Sequence, residues 1–155
     1  MKKERRMKKR KFYFRTLVGA GLIAAAAAFP AFADNWIHQE NGWVCKTADG
    51  YMQTGWYQDK NNGGKWYYLW PEAGNRLGCM QTGWLQKDGK WYFFDTRSGS
   101  SGAMLTGWQW IDGKCYYMDQ KNGHMLADCV TPDGYTVDET GAWCVRGAVQ
   151  TIGKK

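Results

Sequence analysis

The sequence predicts an all-β chain, a solenoid of stacked β-hairpins preceded by a signal peptide, and three observations carry that prediction. Tryptophans recur at Trp36, Trp56, Trp84 and Trp108, with spacings of 20, 28 and 24 residues, and self-similarity at a near-fixed period marks a repeat architecture. Asp88-Gly89 and Asp112-Gly113 stand between aromatic runs, where a two-residue hairpin turn wants both central residues at positive φ. From Asp34 onward there are 20 Trp, Tyr and Phe but only 13 Leu, Ile and Val. That is too few aliphatics for the interdigitated core of a compact enzyme. Aromatics, at roughly 150–250 Å² each, must supply most of the buried area.

The chain has 155 residues and a formal charge of +7, but the charge is confined to one end. Nine of the 21 Lys and Arg lie in the first 15 residues, while the remainder from Asp34 onward holds 12 basic and 13 acidic residues. An uncharged run from Thr16 to Ala33 follows the basic start and closes on Ala31-Phe32-Ala33. Basic start, apolar stretch and small-residue cleavage site together make a secretory signal peptide over residues 1–33. The apolar core is short for a membrane span of about 20 residues, so no stable membrane insertion is expected after cleavage. A basic arm for nucleic acid would not run into such a segment, and no nucleic-acid partner is expected.

The units then follow in order: 35–54, 55–82, 83–106 and 107–128, a degenerate cap at 129–145, and a C-terminal tail at 146–155. In the first, third and fourth, a second landmark lies seven residues after the first: Trp36 to Trp43, Trp84 to Trp91, Trp108 to Cys115. In the second unit Trp66 follows Trp56 by ten, because Asn61-Asn62-Gly63-Gly64 enlarges the turn. Met52, Met80, Met104 and Met125 each stand four residues before the next start. If Asp88 and Gly89 form the turn, Leu85 faces Tyr92 and Gln86 faces Trp91. Strand alternation then puts Trp84 and Trp91 on one face. A lone hairpin is marginal in water, and aromatics on both faces require the units to stack.

The pattern Gly-Trp, a short turn, Trp-Tyr-Tyr, a Met and the next Thr-Gly-Trp resembles the choline-binding, or cell-wall-binding, repeat of secreted Gram-positive proteins. Its best instances are Thr54-Gly55-Trp56 with Trp66-Tyr67-Tyr68, Thr82-Gly83-Trp84 with Trp91-Tyr92-Phe93, and Thr106-Gly107-Trp108 with Cys115-Tyr116-Tyr117. The resemblance implies ligand pockets between consecutive hairpins, each an aromatic box around the trimethylammonium of choline on teichoic-acid-type polymers. A quaternary ammonium has no N–H to donate and is held by ring faces. Carried onto this sequence, the resemblance implies three boxes: Trp36, Trp43 and Tyr67; Trp56, Trp66 and Tyr92; Trp84, Trp91 and Tyr116, with the first Tyr of each run chosen by face alternation and its neighbour as the alternative. Met52, Met80 and Met104 are expected as their floors. The fourth box, with Cys115 for the second Trp and Cys129 for the next leading Trp, is expected to be weak or absent. Trp70 and Trp110, outside the repeat phase, read as structural or surface residues.

No catalytic residue, metal site or cofactor is expected. His38 and His124 lie in different units without partners at motif spacing, and no nucleophile elbow, phosphate loop or His-Glu-x-x-His occurs. Five Cys in an exported chain leave drift at aromatic positions or a disulfide pairing Cys115 with Cys129 or Cys144 as alternatives. The reading is therefore a secreted, cell-wall-associated, non-catalytic binding module. Its partner is choline-bearing teichoic acid or a surface glycan such as a glucan. A structural or adaptor repeat protein is the alternative outside the binding class. A homodimer is compatible with the family's habits but has no support of its own in the sequence.

Overall fold

The computed structural model describes residues 35–97 and 102–153; the signal peptide expected over 1–33 lies outside the described residues. Among the described residues, twelve short strands build four hairpins and a closing sheet. The hairpins are β1 (Asn35–Gln39) with β2 (Gly42–Lys46), β3 (Gly55–Asp59) with β4 (Lys65–Leu69), β5 (Gly83–Lys87) with β6 (Lys90–Phe94), and β7 (Gly107–Ile111) with β8 (Lys114–Met118). The only helical segment among the described residues is the 3-10 turn Lys60–Asn62, which occupies the enlarged turn of the second hairpin.

The Asp-Gly turns adopt the conformation that their residues favour. Asp88 and Gly89 have φ of 51° and 72°, and Asp112 and Gly113 have 48° and 84°, the two consecutive left-handed residues of a type I′ turn. That turn sets the ladder register: Trp84 opposite Phe93, Leu85 opposite Tyr92, Gln86 opposite Trp91. In the second hairpin Asp59 replaces this device. Its carboxylate accepts from the Asn61 and Asn62 amides at 3.0 and 3.1 Å and caps the 3-10 turn.

Each hairpin is stitched to the one before it by the methionine segment that follows it. The Met80 amide donates to Trp43 O, Met104 to Trp66 O and Met125 to Trp91 O, all at 2.7 Å. The next amide turns back to its own hairpin: Gln81 to Tyr68 O, Leu105 to Phe93 O, Leu126 to Tyr117 O. Each methionine side chain then lies over a glycine of the following unit. A Cβ at Gly78, Gly102, Gly123 or Gly141 would overlap Met52, Met80, Met104 or Met125 respectively.

Burial follows this stacking, and the core is a row of small clusters rather than one interior. One gathers Cys45, Tyr57, Tyr67, Leu69 and Ala103; the next Tyr68, Leu85 and Phe94; the third Phe93, Ile111 and Met118. Leu69, Phe94 and Met118, the last residues of three hairpins, are fully buried, which stabilises by about 1.5–3 kcal/mol each.

The C-terminal unit is a four-stranded sheet in the order β12-β11-β10-β9, from Ala148–Val149, Trp143–Val145, Thr136–Val137 and Cys129–Val130. The sequence placed residues 146–155 in a tail, but β12 pairs with β11 and Thr151 bridges back to Lys114. Arg146-Gly147, at φ of 51° and 78°, forms a hairpin turn there that the Asp-Gly signal did not cover.

Cys115, Cys129 and Cys144 form no disulfide, which corrects the expectation of a staple at Cys115. Tyr116 bridges Ala142, which aligns Cys115 with Trp143 and leaves Cys144 one residue out of phase, on the opposite face.

Candidate ligand-binding site

The residues expected in the boxes are brought together across consecutive hairpins. Trp36 of the first hairpin lies 4.8 Å from Tyr67 of the second, Trp56 lies 4.8 Å from Tyr92 of the third, and Trp84 lies 5.1 Å from Tyr116 of the fourth. In each case the first Tyr of the aromatic run makes the contact, as face alternation requires. The stitched backbone fixes these distances, since it sets one hairpin's second strand against the next.

The second tryptophan of each hairpin is the open wall. Trp43, Trp66 and Trp91 are 40, 40 and 41 % exposed, and that near-identity at three repeat positions reflects one shared local geometry. Trp91 meets Trp84 edge-on at 6.1 Å. Together with Tyr116 they line a cavity of about 390 Å³ that also takes in Met125 and Thr140. Trp43 stands edge-on to His38 at 5.1 Å, its partner across the ladder.

The methionine assignment shifts by one unit. The sequence put Met104 under the third box, but the methionine there is Met125, because its amide is tied to the Trp91 carbonyl. By the same bond Met80 sits at Trp43 and Met104 at Trp66. Met52 covers Gly78. Sequence order suggested that a methionine closes its own unit, whereas the backbone bond carries it to the preceding one.

The fourth position, where Cys115 stands for the second tryptophan, has rings of its own. Trp108 is joined by Trp110, Cys115, Asp133, Tyr135 and Trp143 around a cavity of about 320 Å³. Trp110, read from sequence as structural or surface, is the cross-strand partner of Cys115. The ring missing from the second strand is thus present on the first, on the same face. By contrast Trp70 is structural, donating its indole N–H to Gln81 Oε1 at 3.0 Å under the Arg76 guanidinium.

Two aspartates missed in the sequence hold tryptophans of the preceding unit. Trp36 Nε1 donates to Asp59 Oδ2 at 2.9 Å, and Trp108 Nε1 to Asp133 Oδ2 at 2.8 Å. The Thr131 hydroxyl bonds Asp133 Oδ1 at 2.6 Å. First that bond and then the indole hold the Asp133 carboxyl below the usual carboxylate range. Burial pushes the hydroxyls of Tyr67, Tyr92 and Tyr116 up, so these rings face the boxes neutral. His38 is exposed and His124 half-buried with its Nδ1 covered and unpartnered. Among the described residues no group of three His, Cys, Asp or Glu could hold a metal, and no helix is long and apolar enough to cross a membrane.

Comparison with known proteins places these hairpins. The choline-binding repeat family matches residues 107–143, and the cell wall binding repeat family matches 82–97. Among solved structures, choline binding protein F of Streptococcus pneumoniae is 35 % identical with a TM-score of 0.60, over 73 % of this chain and 34 % of its own. CbpJ of Streptococcus pneumoniae TIGR4 is 34 % identical with a TM-score of 0.59, over 72 % and 34 %. The modular Cpl-1 endolysin, solved with a peptidoglycan analogue, is 31 % identical with a TM-score of 0.51, over 66 % and 27 %. The chain thus spans about a third or less of the length of these proteins. No curated protein sequence matches it. In its repeat sequence and in its stacked antiparallel hairpins, the chain belongs to the choline-binding, or cell-wall-binding, repeat family.

Proposed function

We propose that this chain is a secreted, non-catalytic module that docks on the cell wall by binding choline groups of teichoic-acid-type polymers in the boxes between its hairpins. The observation that carries the reading is the recurrence of one ring arrangement: Trp36 with Tyr67, Trp56 with Tyr92 and Trp84 with Tyr116, at 4.8, 4.8 and 5.1 Å. Each pair has an open second tryptophan, Trp43, Trp66 or Trp91, in its hairpin. Met80, Met104 and Met125 complete these three sets.

Ring faces attract a trimethylammonium through their quadrupoles and cover its methyls, for about 0.5–2 kcal/mol per contact. One such box binds weakly. Several in a row on a polymer with many choline groups gain by effective concentration. The basic leader at residues 2–15 and the apolar run after it support export, which would bring the boxes to the outer face of the envelope.

Retention on a choline-bearing resin, with elution by free choline, tests the reading. Failure to bind, with tryptophan fluorescence unchanged at millimolar choline, overturns it and leaves surface glycans, whose sugar rings can stack on the same aromatic faces.

A further inference from the structure

We propose that the cavity formed by Trp108, Trp110, Tyr135 and Trp143 with Asp133 is a fourth organic-ammonium site, and that it also accepts ammonium groups that keep N–H bonds. It uses the same ring chemistry as the choline reading but different residues, and its ligand class is broader.

The rings enclose a shared space. Trp108 lies 5.7 Å from Tyr135 and 6.3 Å from Trp143, while Trp110 lies 6.4 Å and Tyr135 6.0 Å from Trp143. Trp110 is 46 % exposed and Tyr135 48 %, so two walls are open as Trp43, Trp66 and Trp91 are in the regular boxes. The position opposite the second landmark is His38, Gln58 or Gln86 in the first three hairpins and Trp110 in the fourth, where the landmark itself is Cys115. The ring has therefore moved directly across the ladder, with its face of the hairpin preserved. Tyr135 reaches Trp108 from the next unit, as Tyr116 reaches Trp84.

The carboxylate sets this site apart. The third cavity is lined by Trp84, Trp91, Tyr116, Met125 and Thr140, with no charged group. Asp59, behind Trp36, is buried and already accepts three N–H groups. Asp133 is exposed, lines its cavity, and accepts one bond at each oxygen. A carboxylate oxygen has room for a further donor. An ammonium that keeps N–H loses hydrogen bonds to water on entering a box of rings, and rings alone do not return them. Asp133 offers both a charge-assisted acceptor and a countercharge, so the penalty that excludes such cations from the third box is reduced here.

The test is a titration of the full chain with choline and then with ethanolamine, read on the tryptophan indole N–H signals by two-dimensional NMR. Choline is expected to move the signals of Trp84 and Trp91 and also those of Trp108, Trp110 and Trp143. Ethanolamine is expected to move only the second group, an effect lost in Asp133→Asn. Trp110→Ala is expected to weaken choline at the fourth site by about ten-fold or more while Trp84 and Trp91 titrate unchanged. Should Trp110→Ala not fold, Asp133→Asn carries the comparison. Movement of Trp84 and Trp91 alone overturns the fourth site and leaves the choline reading standing. Stillness of every indole overturns both, and equal responses of the two groups to ethanolamine, or none in either, overturn the broader ligand class.

Discussion

The amide of Met104 donates to the carbonyl of Trp66 at 2.7 Å, and the side chain beyond that amide lies on Gly123 of the next unit. One residue thus contacts three successive repeats, and the same relation recurs along the molecule. It explains why a chain with so few aliphatic residues holds together: each methionine fills the gap that a glycine leaves in the unit after it.

Gly123→Ala is expected to destabilise the chain by about 2 kcal/mol. Gly123 has φ of 73°, where an L side chain costs roughly 1–2 kcal/mol, and its Cβ would also displace the Met104 thioether. Adding Met104→Ala relieves the overlap but not the backbone strain, so the double variant should lose less than the two single losses added together. Urea unfolding of the four chains measures this. Simple additivity would remove the packing account.

Trp91→Ala and Trp84→Ala separate ligand binding from scaffold. Trp91 presents an open face, so its loss is expected to cost about 1 kcal/mol of stability while lowering the number of choline groups bound by one. Trp84 touches Trp91, Phe93 and Tyr116, and its truncation should cost about 3 kcal/mol as well as the site. Calorimetric titration beside urea unfolding tests both; a Trp91→Ala chain with full stoichiometry would contradict the placement of the third box.

Much of this fold was legible because hairpin chemistry is local. The Asp88-Gly89 and Asp112-Gly113 turns fix the register of their ladders, and the register fixes which rings share a face. Once the family resemblance implied a wall from the next unit, alternation chose the first Tyr of each run, hence Tyr67, Tyr92 and Tyr116. What was not legible depends on contacts between units. The methionines shift by one box because a backbone bond, invisible to side-chain pattern, reaches back to Trp43, Trp66 and Trp91. Trp110 looked out of phase because the repeat was followed along the chain, while the compensation runs across the ladder to Cys115. The β12 strand lacked the Asp-Gly signal and carries Arg146-Gly147 instead.

Acid is expected to loosen the loops before the ladders. Asp95, Asp119, Asp133 and Asp138 are all held below the usual carboxylate range: by the Arg97 guanidinium, the Asn122 amide, the Thr131 hydroxyl and the Thr140 hydroxyl, each the first cause at its site. An aspartate whose folded value is lowered is protonated first in the unfolded chain, near pH 3.9. Its contribution is present above that pH and lost as pH falls through the folded value. The urea midpoint should therefore stay level from pH 7 to about 5 and drop below about 4. Asp138→Asn should make the drop shallower. A midpoint that rises on acidification would reverse the sign and refute the assignment.

Asp59→Ala is expected to uncouple the first hairpin from the rest. The carboxylate joins Trp36 Nε1 of the first hairpin to the Asn61 and Asn62 amides of the second, so alanine strands three donors at once. Leaving such groups without partners costs roughly 1–3 kcal/mol, and stacked repeats feel a loss mainly at the nearest interface. Hydrogen exchange should accordingly speed up at the ladder amides of β1 and β2 and leave β7 and β8 protected. Asp59→Asn keeps one acceptor oxygen, enough for the indole or the turn but not both, and should fall between. Uniform acceleration along all four hairpins would mean that the molecule unfolds as a single unit and that the Trp36–Asp59 bond has no local role.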